Sequence, residues 1–186
     1  MTMLDDIEKV LITEEQIQTR IRGLADELNA RYTDADVPLL VCILKGAVMF
    51  LSDLVRHLNF RHEMDFMVVS SYGSGTRSSG IVRILLDLEA NIEGRHVIIV
   101  EDIIDTGHTL NYILHNLETR HPASIRIATL LNKPSRREIH NIPVDFVGFE
   151  IPDEFVLGFG LDYAEQYRNL PFIGVLKPEV YTHVND

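Results

Sequence analysis

Two adjacent carboxylates, Glu101 and Asp102, precede a small hydroxyl-rich run, Asp105-Thr106-Gly107-His108-Thr109, with only Ile103 and Ile104 between them. Such a run can aim several backbone N–H groups and two hydroxyls at an anion, helped by the partial positive charge of a helix N-terminus. The carboxylates bring the complementary capacity, to accept hydroxyl protons or hold a hard cation. The combination suits a small phosphorylated substrate. The same residues would also serve as turn and N-cap residues of an ordinary strand-to-helix connection.

The flanking sequence supplies the elements that would position this run. Val97-Ile98-Ile99-Val100 reads as a strand buried on both faces, as in the centre of a parallel sheet, so Glu101 and Asp102 fall at its C-terminal end. Open α/β sheets place their ligand crevice there. Leu110, Ile113, Leu114 and Leu117 then recur at helical spacing, to an end near Arg120, because Pro122 bars continuation.

Further strands are expected over Leu39–Leu44, Met64–Tyr72, Ile81–Leu86, Ile125–Leu131, Val144–Phe149 and Phe172–Leu176. Thr13-Glu14-Glu15-Gln16 is a capping-box pattern opening a helix that ends near Arg31 or Tyr32, and another helix is expected over about Ala47–Leu58. Alternating strands and helices predict an α/β fold with a parallel sheet of about five strands. Lys45-Gly46, directly after the first of these strands, can deliver charge and backbone N–H groups to a phosphate, or be a helix-start glycine beside a solvated lysine. Lys133 after Asn132 reads as a loop lysine at a strand end. Within Glu150–Tyr163, Pro152 and Asp153 make a turn, and Phe155 offers a ring on which a planar ligand could stack, or a satellite core residue.

Length and charge exclude several classes. The 186 residues form one domain, residues 1–186, long enough to bury a core without staples, and the single cysteine, Cys42, lies in an apolar run as a small hydrophobe. A net charge of −11 argues against a general nucleic-acid surface. An anionic ligand must therefore be held by local dipoles, a metal ion or a few placed cations. No apolar stretch is long enough to span a membrane and no signal-peptide pattern opens the chain, so no membrane partner and a cytoplasmic location are expected.

The run Val97–Leu110 resembles the phosphoribosyl-pyrophosphate signature of the type I phosphoribosyltransferases, and its Glu-Asp-Ile-Ile-Asp form is similar to the hypoxanthine and hypoxanthine-guanine branch. The resemblance extends from about Thr13 to Leu176. It implies a central sheet flanked by helices, with a small hood built from the N- and C-terminal segments. It further implies purine salvage, with 5-phosphoribosyl moving from phosphoribosyl pyrophosphate to hypoxanthine, and to guanine, with Mg2+.

Residue by residue, the resemblance assigns Glu101, Asp102, Asp105, Thr106, Gly107, His108 and Thr109 to the phosphoribosyl group, with Asp105 handling the purine proton. Lys45, Gly46 and Arg168 fall to pyrophosphate, and the peptide bond of the Lys45-Gly46 pair can be cis. Lys133, Phe155 and Val156 would contact the purine, through its exocyclic oxygen, its face and its edge. Glu101, Asp102 and Asp162 would serve the metal. Ser71 and Tyr72 would begin a lid, continued by Gly73–Gly80, where three glycines and four hydroxyl residues leave little to bury. The implied partners are these small molecules and a second copy, in a homodimer or homotetramer. His108 departs from the pattern, standing where some relatives carry lysine, so that phosphate affinity would depend on pH near neutrality.

Two other classes share part of this pattern. A regulatory homologue that binds RNA would keep the central motif but needs a basic face, against the acidic balance. A nucleotide-binding module without chemistry would lack the lid and the Lys133 context.

Overall fold

A computed structural model describes residues 2–72 and 81–182. A turn of 3-10 helix, Met3–Asp6, leads into β1 (Ile7–Ile12), then α1 (Glu14–Asn29), β2 (Leu39–Leu44), α2 (Val48–Val55), β3 (Glu63–Tyr72) and β4 (Ile81–Leu86). There follow β5 (His96–Ile104), α3 (His108–Glu118), β6 (Ser124–Asn132), β7 (Phe146–Glu150), β8 (Val156–Leu157), β9 (Ile173–Leu176) and α4 (Pro178–Thr182). The expected capping box opens α1: Gln16 N–H donates to Thr13 Oγ1 and Thr13 N–H to Gln16 Oε1. Helix α2 is shorter at both ends than the apolar spacing suggested.

The main sheet has the order β4-β3-β2-β5-β6-β7; five strands are parallel and β4 returns antiparallel at the edge. Period-2 side-chain alternation explains why β2 and β5 are apolar throughout. Leu40, Cys42, Ile98 and Val100 face a core shared with α1 and α2, while Leu39, Val41, Val97 and Ile99 face one shared with α3. Burial pushes the Cys42 thiol up to about 12, which leaves it a packing residue.

A second sheet, β1-β9-β8, forms the hood from both ends of the chain. Strand β1 lacks a clean alternation, since Glu8, Lys9 and Val10 are all exposed, and the sequence reading accordingly missed it. The hood shares one core with the main sheet: Ile12, Val156, Phe159, Leu161, Ile173 and Val175 pack in the same cluster as Leu40 and Phe50. At the junction Gly160 takes φ +100°, and a Cβ there would lie 2.0 Å from the Gly46 carbonyl oxygen. Only glycine meets both demands.

Replacement of Gly160 by alanine should therefore lower stability by about 3 kcal/mol, or on the order of 6–12 °C in Tm at this chain length. Calorimetric melting of Gly160→Ala within 1 °C of the parent would show that the hood does not press on the Lys45-Gly46 turn.

Candidate active site

Strand β5 ends in a cleft of about 210 Å³ lined by Glu101, Asp102, Ile103, Ile104, Asp105, Thr106, Gly107, Thr109 and Leu110. The strand crosses into α3 through a loop whose N-cap is Gly107 in the left-handed conformation, so the amides of the first helical turn open onto this cleft. The loop is braced from the far side. Thr106 C=O accepts N–H bonds from Glu138 (3.0 Å) and Ile139 (3.1 Å), and the Lys133 N–H donates to Ile104 C=O (3.0 Å). His108, the first residue of α3, contacts Glu138 through Nε2 at 2.7 Å.

Glu101 is buried, at 8% exposure, and its Oε2 has no hydrogen-bond partner among the described residues. Burial pushes its carboxyl well above the usual range, with the neighbouring Asp102 charge adding to the effect. Asp102 is pushed up to about 6, chiefly by desolvation, against the opposing pull of its backbone N–H contacts and of Arg168. Its Oδ1 accepts the Ile103 N–H at 2.7 Å, and its Oδ2 lies where a Cβ on residue 46 would sit, 1.5 Å away. Gly46 is thus required by a close approach of backbone to carboxylate.

Two adjacent shielded acids, one with an unmatched oxygen, form a donor set that a divalent cation or ribose hydroxyls would satisfy. No three metal-binding side chains gather among the described residues. A hard cation can bind through only one or two carboxylates when a ligand's own oxygens and water complete its shell.

Beside the acids stand the two cations expected to meet an anion. The Leu44–Lys45 bond is the cis peptide, one bond earlier than the Lys45-Gly46 pair implied by the resemblance. Lys45 Nζ contacts Glu165 Oε2 at 2.9 Å. Arg168 donates to Gly160 C=O (2.8 Å) and pairs with Asp162 (2.9 Å) and Glu165 (3.2 Å). The connecting turn is unusual: Tyr163 and Gln166 exchange backbone N–H bonds around Ala164 and Glu165, whose φ values are 51° and 64°. Left-handed non-glycine residues cost about 1–2 kcal/mol each, and such turns normally carry Asn-Gly.

The third group lies at the end of β6. Lys133 is buried, at 6% exposure, and its Nζ is 3.7 Å from Asp153 Oδ1. Arg136 Nε reaches Asp153 at 3.6 Å and Asp105 Oδ1 at 3.0 Å. The chain Lys133–Asp153–Arg136–Asp105 thereby joins the strand-end lysine to the anion loop. Arg137 points inward instead, donating to Asn132 Oδ1 at 3.2 and 2.8 Å. Phe155 remains 44% exposed, packed edge-on to Tyr163 at 5.8 Å, while Val156 is buried and pairs with Val175 across the hood sheet. Phe155 follows Asp153, the partner of Lys133, by two residues, and its accessible ring can receive a planar ligand.

Most residues anticipated from sequence therefore fall in three groups: the β5 loop, Lys45 and Arg168 around Glu165, and the stretch of Asp153 to Val156 with Lys133. Ser71 and Tyr72 end β3, paired with Val82 and Ile81, and the expected lid segment 73–80 lies outside the described residues. Sequence reasoning missed Glu165, Arg136 and Asp153 as participants. Each sits within two to four residues of a residue it had singled out, but only the fold shows which ion pairs form.

Comparison with known proteins agrees with this geometry. A family model described as the phosphoribosyl transferase domain matches residues 12–164. The chain is 56% identical to the hypoxanthine-guanine phosphoribosyltransferase of Bacillus subtilis strain 168, over 96% of this chain and 98% of that one. It is 48% identical to the hypoxanthine-guanine-xanthine phosphoribosyltransferase of Tritrichomonas foetus, over 97% of each. Its fold superposes on the crystal structure of a hypoxanthine phosphoribosyltransferase from Staphylococcus aureus with a TM-score of 0.90, 50% identity and 96% coverage of both chains. With the strand-end acids, anion loop and hood all in place, the chain belongs to the phosphoribosyltransferase family, alongside its hypoxanthine-guanine members.

Proposed function

We propose that the chain salvages purines, moving 5-phosphoribosyl from phosphoribosyl pyrophosphate to hypoxanthine or guanine to give IMP or GMP and pyrophosphate. The carrying observation is the β5 cleft, where the amide-lined loop 105–109 meets two shielded acids on one side and the Lys133–Asp153–Arg136–Asp105 chain on the other. An anion cradle next to a donor-only buried group suits a phosphorylated sugar facing a base with a carbonyl.

In this reading the amides of Thr106 to Thr109 and the hydroxyls of Thr106 and Thr109 hold the 5-phosphate. His108, engaged by Glu138, contributes its backbone to the loop. Glu101 and Asp102 would accept the ribose hydroxyls and hold Mg2+, with Asp162 serving a second metal position; bound there, the ion would supply positive charge to offset that of the departing pyrophosphate. Lys45, the Gly46 backbone and Arg168 bind that pyrophosphate.

The C1–oxygen bond to pyrophosphate breaks as the C1–nitrogen bond to the purine forms, and the ribosyl carbon is cation-like between them. Asp105 lies next to N7 and takes up the purine proton. Phe155 stacks on the base, Val156 meets its edge through the backbone, and Lys133 donates to the 6-oxygen. Ser71 and Tyr72 begin the segment that closes over the reaction. A cytoplasmic homodimer or homotetramer belongs to the same reading. Exposed Met64 and Phe66, level with Leu40 and Cys42 on one face of the sheet, support a subunit contact there.

The direct test is a panel of bases incubated with phosphoribosyl pyrophosphate and magnesium, following nucleotide formation. Hypoxanthine and guanine should be converted, and excess chelator should abolish conversion. Turnover that survives chelator would refute the metal-assisted scheme.

For the proton-handling role, Asp105→Asn keeps size and some hydrogen bonding but cannot accept a proton, so kcat should fall about 10²-fold or more while substrate binding is largely kept. Near-normal turnover would reduce Asp105 to a partner of Arg136.

Base choice should rest on Lys133. Its ammonium group only donates, so adenine would set donor against donor in a closed site, and discrimination of about several hundredfold is expected. Lys133→Ala should weaken hypoxanthine and guanine use far more than adenine use. Equal wild-type efficiency on adenine and hypoxanthine would remove Lys133 from base recognition.

A further inference from the structure

Glu165 is not among the residues that the family resemblance assigns, yet it lies at the centre of the pyrophosphate cluster. One oxygen, Oε2, is 2.9 Å from Lys45 Nζ and 3.2 Å from Arg168 Nη2. Those cations come from positions far apart in sequence, one after β2 and one beyond the hood strand β8, and this carboxylate is the group that both contact. Its other neighbour is Asp162, whose Oδ2 accepts the Glu165 N–H at 2.9 Å while its Oδ1 pairs with Arg168. The turn that carries it is conformationally unfavourable, with Ala164 and Glu165 both left-handed where Asn-Gly would be relaxed. A turn built for ease would not place a β-carbon there; this one sends a carboxylate back across the cleft to Lys45. Neither end is sequestered. The Lys45 and Glu165 side chains are 64% and 65% exposed, so the bridge is weak and can be exchanged for a more highly charged anion.

We propose that Glu165 is an internal stand-in for pyrophosphate: it holds Lys45 and Arg168 together in the free protein, is displaced when pyrophosphate arrives, and so sets the affinity of that site. This rests on the assignment of Lys45 and Arg168 to pyrophosphate. Glu165 is accordingly a positioning residue, with two opposed effects. It keeps the cations in place before binding, and it competes with the ligand for them. Because the anion it competes with carries several charges, competition dominates, and the product is released more readily than two unopposed cations would allow.

Calorimetric titration with inorganic pyrophosphate at fixed magnesium, on the full chain, separates the cases. Glu165→Gln should bind pyrophosphate about three- to tenfold more tightly than the parent, a gain that shrinks as salt is raised. Glu165→Ala should behave likewise, and in a Lys45→Ala background most of the gain should disappear. IMP, which in this reading reaches the loop and base clusters but not Lys45, should bind parent and Glu165→Gln within about twofold. Equal or weaker pyrophosphate binding by Glu165→Gln would overturn the proposal, as would a parallel change in IMP affinity, which marks a general structural effect. A parent protein that binds IMP but no pyrophosphate would instead refute the assignment of Lys45 and Arg168 beneath it.

Discussion

Everything in this site turns on the burial of two neighbouring carboxylates, Glu101 and Asp102, at the end of the central strand. Shielding from water raises the energy of their ionised forms, with the Asp102 charge adding to it at Glu101 and the Asp162 charge at Asp102, and Glu101 keeps an oxygen unmatched among the described residues. An acid pair at rest in a fold would be exposed, or matched to arginine. Strand β5 instead carries them out of an apolar core directly into the cleft, and Gly46 closes over Asp102 so tightly that no side chain is admitted. The site is therefore poised for positive charge and hydroxyl donors, which a cation-bound sugar phosphate would supply.

The same logic explains how a chain with net charge −11 can bind so anionic a substrate. It does not rely on a basic surface. Backbone amides at the start of α3 provide donors that carry no formal charge, and the cations on the cleft are each matched to an acid: Lys45 to Glu165, Arg168 to Asp162 and Glu165, Arg136 to Asp105 and Asp153. The exposed pairs among these, Lys45 with Glu165 and Arg136 with Asp105 and Asp153, are worth little apiece, so a ligand can exchange them at small cost. Lys133, 3.7 Å from Asp153, differs in being buried. Its burial makes it costly to leave unmatched, which is what a specificity group requires.

How legible this was in the sequence depended on range. Strands β2 and β5, the capping box of α1 and the loop 105–109 are local patterns, and they lie where the residues indicated. Strand β1 was illegible because a hood strand with charged residues on an open face has neither the continuous apolar run of a core strand nor strict alternation. Two-residue β8 is too short to leave any pattern. Ion pairs fared worst. Lys45 and Glu165 are 120 positions apart, and nothing in either neighbourhood specifies the other; only the wrapping of the hood brings them together.

That wrapping also links the two halves of the chemistry. The hood segment after β8 presses Gly160 onto Gly46, and Gly160 exchanges backbone and side-chain bonds with Arg168. Lys45 and Arg168 are thus both referred to one backbone contact. Phe155 directly precedes β8 and Val156 opens it, and Tyr163, which packs on Phe155, opens the turn bearing Glu165. In the proposed function, a base settling on Phe155 would press on Tyr163, two residues before the Glu165 that contacts Lys45. A single stretch, 155–168, would in that reading carry residues for both the acceptor and the leaving group, joined by the Phe155–Tyr163 and Gly160–Arg168 contacts.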